Sequence, residues 1–366
     1  MRSLFYIALK QYCRSALWFY YRKWQVQNVE PVPSGPLIFV ANHQNAFLDA
    51  VLVSCSTSRN PWFLTRANVF EKPWARVLLS WMKMTPVYRF RDGFGTLRKN
   101  EMAIKTCVNL LSQGESILIF AEGNHDERWS LRPFQKGFAR IAIAAAEKNI
   151  HVTIVPIGLQ YDSPAASRVL VSFGKPISVK ELIAAQSDGK AQIDLLIAKT
   201  SDSIKSLIVH IARTDYENRK AQFLQNRILK SDLKAQLEAD QKTVSEFNPE
   251  VVSHQYLSKK TLIYSWLNPF FIYSYLNHFL PIIIINRIIK IKVKDMQFID
   301  SLKFSLGMFL IPVFYLIQTE IVYLVSKSLL GSIIYFVSLP ISFAFLKKNR
   351  NSFSHEKICL QKKLAL

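Results

Sequence analysis

Leu37-Ile38-Phe39-Val40 followed by Ala41-Asn42-His43-Gln44-Asn45-Ala46-Phe47-Leu48-Asp49-Ala50 is the stretch on which the reading of this chain turns. Four apolar residues in a row, bounded by a polar tip, have the length and composition of a strand buried on both faces. Similar short runs recur at Trp62–Leu64, Pro86–Tyr88, Ile117–Phe120, Val152–Leu159 and Val169–Phe173, with helical stretches at Thr96–Gln113 and Phe134–Lys148 between some of them. Strands alternating with helices predict an α/β domain, a mainly parallel sheet flanked by helices, with function at the strand ends and in the loops beyond them. Pro156 lies inside one run, which predicts an edge strand or a bulge.

His43 leaves the first strand on a polar tip, and Asp49 follows six positions later. A histidine so placed suits a general base if a carboxylate fixes its tautomer. On a regular helix that separation sets the two ~120° apart, so contact requires a turn between them. The same residues also fit an ordinary strand exit. Two further exits carry polar chemistry. Ile117–Phe120 runs into Ala121-Glu122-Gly123-Asn124-His125-Asp126, a carboxylate and a glycine suited to a polyol or a phosphate-bearing ligand, or simply a turn with a solvated acid. Pro86-Val87-Tyr88 runs into Arg89-Phe90-Arg91-Asp92-Gly93, two arginines suited to bidentate phosphate contacts, or a basic turn facing headgroups.

In this order and at these intervals, Asn42-His43…Asp49, Pro86-Val87-Tyr88-Arg89, Phe120-Ala121-Glu122-Gly123 and Val155-Pro156-Ile157 resemble the four motifs of the glycerolipid acyltransferase family. The resemblance spans roughly residues 28–180 and is specific as a set. Two departures stand out: the His-to-Asp spacer is one residue longer than the common pattern, and Asn124-His125 replaces its Thr-Arg. Both look like the branch that acylates glycerol 3-phosphate or dihydroxyacetone phosphate. The resemblance implies acyl transfer from acyl-CoA or acyl carrier protein, as co-substrate and with no cofactor or metal, to lysophosphatidate, glycerol 3-phosphate or dihydroxyacetone phosphate. It implies catalytic roles for His43 and Asp49, and substrate binding by Arg89, Arg91, Glu122, Gly123 and His125. The competing class is a membrane-anchored lipid-binding or scaffold protein whose acyltransferase-like domain has lost activity; turnover separates the two.

Composition points to a membrane surface. The 366 residues carry 47 Lys and Arg against 26 acidic residues, a net charge of +21, yet half are hydrophobic. Charge alone would suit nucleic acid; charge with this much apolar surface suits anionic lipid, and the apolar C-terminal region argues against a nucleic-acid partner. Cys13, Cys55, Cys107 and Cys359 show no metal-type spacing and read as reduced, in keeping with a cytoplasmic catalytic domain. Residues 1–33 read as an amphipathic membrane-interface helix: Ser3, Lys10, Gln11, Arg14 and Ser15 share one side, and Trp18, Phe19, Tyr20, Tyr21 and Trp24 cluster beside Arg22 and Lys23.

The expected acyltransferase domain covers 34–180, charged surface helices 181–258, a membrane-associated region 259–350 and a basic tail 351–366. Thr261–Asn286, Phe304–Thr319 and Ser328–Leu346 carry no charged residue. A spanning helix needs ~20 apolar residues, so 304–346 suits a transmembrane hairpin. Asn268, Pro269, Asn277, His278 and Pro281 predict that the first segment is broken, re-entrant or interfacial, which keeps the basic clusters on the cytoplasmic side.

Overall fold

The computed structural model describes residues 2–87, 96–162, 168–246, 268–293 and 298–349. Strands β1 (Lys23–Asn28), β2 (Leu37–Ala41), β3 (Trp62–Arg66), β4 (Met84–Val87), β5 (Ser116–Phe120), β6 (Thr153–Tyr161), β7 (Arg168–Phe173) and β8 (Ile177–Ser178) form one sheet. Its order is β1-β7-β6-β2-β5-β3-β4, with β8 also beside β6. β2 runs parallel to β5 and β6, and β3 parallel to β4 and β5, while β7 and β8 are antiparallel to β6. The sheet is therefore mainly parallel and flanked by helices, as the alternating pattern predicts. The helices are α1 (Arg2–Tyr20), α2 (Ala46–Ser56), α3 (Pro73–Trp81), α4 (Thr96–Ser112), α5 (Gly137–Ala146), α6 (Val179–Ile183), α7 (Gly189–Lys205), α8 (Tyr216–Asn226), α9 (Leu233–Ser245), α10 (Pro269–Lys292), α11 (Ile299–Ser326) and α12 (Leu329–Asn349). Two compact units result, one built on the sheet with α2 to α9, the other on α10 to α12 with the second half of α1.

All five residues of β2 are buried, as a central parallel strand requires. Ile38, Val40, Ile117 and Ile154 join Leu111, Phe138, Ala142 and Leu196 in the main core. Pro156 does not mark an edge: β6 is interior, and Pro156 stands opposite Val40 of β2. The reason lies on the other side of β6. There the β8 ladder stops at Ile154 and the β7 ladder starts at Ile157. In a strand, a residue's N–H and C=O point the same way, and the Pro156 carbonyl accepts from Gly174 N at 2.8 Å on that side. The missing N–H thus faces the gap between two ladders, where no bond is lost. One position further, Gly158 admits no side chain: a Cβ there would lie 2.5 Å from Leu207 Cβ and 2.7 Å from the Leu207 carbonyl oxygen.

Two expectations change in the flanking regions. The N-terminal segment is helical only to Tyr20, and Lys23–Asn28, an alternating apolar-polar stretch, is a strand. Within α1, Lys10 does not face solvent; its ammonium donates to the Thr57 and Arg59 carbonyls at 2.8 and 2.9 Å, just past the C-terminus of α2 where a cation is favoured. The helices α8 and α9 are more than a charged surface layer. Tyr216, Phe223, Leu233 and Leu237 pack with Trp129, Leu170, Val209 and Ile211 in a second core.

In the C-terminal unit α10 is one continuous helix, so the break expected near its polar residues and Pro281 is not found within Pro269–Lys292. Asn268 caps its start by accepting from Phe270 N at 2.9 Å. Pro281 cannot donate to the Asn277 carbonyl four residues earlier, and Gln318 Nε2 of α11 supplies that bond instead at 2.9 Å. His278 Nε2 meets Tyr315 Oη at 2.7 Å, and Ser274 Oγ donates to the Ser342 carbonyl at 2.7 Å. By length and composition, α10 and α11 are both able to cross a membrane. The basic residues at 259–260, 294 and 350–366 lie outside the described residues.

Candidate active site

The site is assembled where β2, β5 and β6 end. Asn42 is the first residue past β2, and its side-chain amide makes a rung with β6: Nδ2 donates to the Leu159 carbonyl at 3.0 Å and Oδ1 accepts from Leu159 N at 2.7 Å. That rung fixes the direction in which the chain leaves the sheet. His43, Gln44 and Asn45 form the turn, and α2 begins at Ala46. Asn45 makes no side-chain cap; Asp49, on the first helical turn, takes that role from the other end. Side chains on a helix lean towards its N-terminus. Asp49 Oδ2 accordingly accepts from Gln44 N and Asn45 N, each at 2.8 Å.

The same oxygen lies 2.8 Å from His43 Nδ1. The six-position separation is bridged because only its second half is helical, the first half being the turn that swings the imidazole back over the helix start. Asp49 is fully buried, whereas the His43 side chain keeps 15% of its surface exposed. A carboxylate only accepts, so Nδ1 donates and Nε2 is left with its lone pair. The ring stacks on Phe120 at 4.1 Å between centroids and 14° between planes. Its other neighbour is the ring of His125, edge-on at 5.5 Å.

The β5 exit holds the same turn from the opposite side. Glu122 Oε1 accepts from His43 N at 2.8 Å and Oε2 from Arg132 N at 3.1 Å. Burial pushes its carboxyl up to about 7, against the pull of those two backbone donors and of the Arg132 charge. Asp126 N donates to the His43 carbonyl at 2.9 Å. Gly123 sits at φ +71°, a left-handed turn, and a Cβ there would approach Gln135 Cγ to 3.1 Å. His43, Asp49, Glu122, Gly123 and His125 are thus brought together. Arg89 and Arg91 lie outside the described residues.

Three residues were not singled out by sequence reasoning. Asn42 was visible as the partner of His43 but carried no hint of its bond to β6. Arg66, on the last position of β3, donates from Nη2 to Asn124 Oδ1 at 3.2 Å, and its signal was a cation at a strand end. Tyr161, whose Oη donates to Asp49 Oδ1 at 2.5 Å from 112 positions away, had no local signal.

The family model described as Acyltransferase matches residues 23–160. Residues 23–160 are an acyltransferase-family domain. The relatives found are of the glycerolipid type. Over 138 residues, 37% of this chain, the domain is 28% identical to the 1-acyl-sn-glycerol-3-phosphate acyltransferase BAT2, chloroplastic, of Brassica napus, and the match spans 38% of that protein. Over 115 residues it is 34% identical to the glycerol-3-phosphate O-acyltransferase 1 of Saccharomyces cerevisiae, spanning 15% of that protein. The acyltransferase domain thus matches less than half the length of either relative. The crystal structure of a 1-acyl-sn-glycerophosphate acyltransferase, PlsC, from Thermotoga maritima is similar with a TM-score of 0.41 and 15% identity, over 56% of this chain and 81% of that one.

Proposed function

We propose that the acyltransferase domain moves a fatty acyl group from acyl-CoA or acyl carrier protein to a hydroxyl of a glycerol-phosphate acceptor: glycerol 3-phosphate, dihydroxyacetone phosphate or lysophosphatidate. The observation that carries this reading is the His43–Asp49 pair, 2.8 Å apart, with its carboxylate buried and its imidazole reaching solvent at the ends of parallel strands. A hydroxyl needs a base to attack near neutral pH. His43 Nε2 takes the hydroxyl proton as the oxygen bonds to the thioester carbonyl carbon, and Asp49 stabilises the imidazolium. The C–S bond then breaks, and the proton passes from His43 to the departing thiolate. A thiolate leaves readily, so the step as proposed needs neither a metal nor a covalent enzyme intermediate.

Arg89 and Arg91 are assigned to the acceptor phosphate, together with Arg66 at the end of β3. Glu122 and Gly123 shape the loop around the base. A net charge of +21 and the apolar α10 and α11 suit a membrane surface, with the catalytic domain on the cytoplasmic face. At 28 residues, α11 is about 42 Å long, more than the ~30 Å of a bilayer's hydrocarbon core. The deciding experiment incubates the purified full chain with isotopically labelled acyl-CoA or acyl carrier protein and the three acceptors, and identifies products by mass spectrometry. An acylated glycerol phosphate is expected; no ester from any pairing overturns the proposal.

A further inference from the structure

Asp49 is gripped from two sides that differ in origin. Its Oδ2 takes donors from the adjacent turn, whereas Oδ1 is met by the hydroxyl of Tyr161, the last residue of β6. Tyr161 is itself almost fully buried, and its backbone carbonyl accepts from Trp129 Nε1 at 3.1 Å and from Gln160 Nε2 at 2.9 Å. Trp129 is anchored in turn. Its backbone N–H donates to Tyr216 Oη at 2.9 Å, and its carbonyl accepts from Ile211 N at 2.6 Å. The Arg227 guanidinium lies over its ring, 5.6 Å from the centroid. Arg227 is fixed by Asp240 of α9, Nη2 to Oδ2 at 2.6 Å and Nε to both carboxylate oxygens at 3.0 Å, and both partners are buried. An unbroken run of contacts therefore links α8 and α9 to the base.

We propose that Tyr161 is a positioning residue for the His43–Asp49 pair, and that Trp129 and Arg227 transmit that placement from α8 and α9. The hydroxyl does two things at once. It fixes the rotation of the carboxylate, so that Oδ2 stays aimed at Nδ1, and it shares the carboxylate's negative charge. Without it the charge concentrates on the imidazole side, and protonated His43 becomes more favourable. The kinetic part rests on the acyl-transfer reading, because it requires His43 to be the base.

Tyr161→Phe removes the hydroxyl and keeps the ring. In full-length protein, kcat is expected to fall about tenfold with KM unchanged within about twofold. The acid limb of the pH profile of kcat/KM moves up by about half a pH unit. A second readout needs no turnover: the pH midpoint for modification of His43 by diethyl pyrocarbonate, followed by peptide mass spectrometry, moves the same way. A wild-type chain without acyl transfer sinks the functional reading, while this midpoint still tests Tyr161. Trp129→Phe, which deletes the N–H to the Tyr161 carbonyl, gives a smaller shift of the same sign and serves where Tyr161→Phe does not fold. A folded variant with an unchanged midpoint overturns the proposal. So does a loss of kcat with no shift in the pH profile, which marks a merely structural role.

Discussion

Asp49 and His278 are both polar side chains with no exposed surface, yet what surrounds them is opposite in kind. Asp49 belongs to a domain that hides Ile, Val, Leu and Phe beneath helices and turns charge outward. His278 belongs to helices that turn Leu276, Phe309, Leu316, Val325 and Leu330 outward and keep Ser274, Ser301, Ser332 and Ser342 inside. In water, hiding apolar surface drives folding; among lipid tails it gains little, and polar pairs between helices hold them together instead. The reversal of inside and outside between the two units is what supports the proposal that the helices α10 and α11 associate with a membrane. It also separates two uses of a buried polar group. Asp49 orients a histidine that still reaches solvent, whereas His278 closes one helix onto another through Tyr315.

Substitutions in the two regions should therefore fail differently. The largest effect belongs to the proposed base: His43→Ala should lower turnover by ~10³-fold or more while the protein remains in the membrane fraction. Full activity in that variant would remove His43 from its role. Next comes Gly158→Ala, whose methyl group meets Leu207 at both side chain and backbone. It should cost about 3 kcal/mol in chemical denaturation followed by the fluorescence of the sheet domain. A neutral result would mean that β6 and the segment after α7 part easily.

Glu122 gives a smaller, pH-dependent effect. Its folded carboxyl titrates at about 7, above the ordinary value of 4.5, so between those limits the folded chain holds a proton that the unfolded chain has lost. Its contribution is greatest below the ordinary value and is lost as pH rises through 7. The melting temperature of the wild type should fall over that interval, and Glu122→Gln should flatten the fall. The same variant should be less stable at every pH, because an amide presents its own N–H to one of two backbone donors. A slope identical to wild type would exclude Glu122 as its source. The smallest change is expected in the helices. Gln318→Leu strips the partner from the carbonyl freed by Pro281, and should lower stability in detergent by about 1 kcal/mol with turnover unaltered.

The strands and their order of chemistry were legible because each apolar run ends in its own polar exit, and a parallel sheet gathers those exits at one rim. Residues 37–41, 116–120 and 153–161 follow the pattern closely. The contact between His43 and Asp49 was only half legible. The spacing demanded a turn, but nothing in the letters said that α2 starts at Ala46 and leaves three residues to make it. Pro156 misled as to an edge, because a missing N–H is harmless where two ladders part, although its bulge alternative fits: between Ile154↔Ile177 and Ile157↔Phe173 the antiparallel register shifts by one residue. Pro281 misled in the same manner, since Gln318 supplies the missing bond from another helix. Tyr161 and Trp129 were invisible: their roles arise from contacts across the fold, which leave no local period or spacing.

The clamp around His43 also dictates how a proton travels. Among the described residues, Nδ1 faces a buried carboxylate and one ring face lies flat on Phe120, which leaves Nε2 as the doorway to the imidazole. A proton collected there has to leave by the same door. The imidazole cannot hand it inward for storage, nor shuttle it through its other nitrogen to a distant exit. Each catalytic cycle of the proposed reaction must then discharge its proton into whatever occupies the mouth of the site, the departing thiolate or a water that follows it.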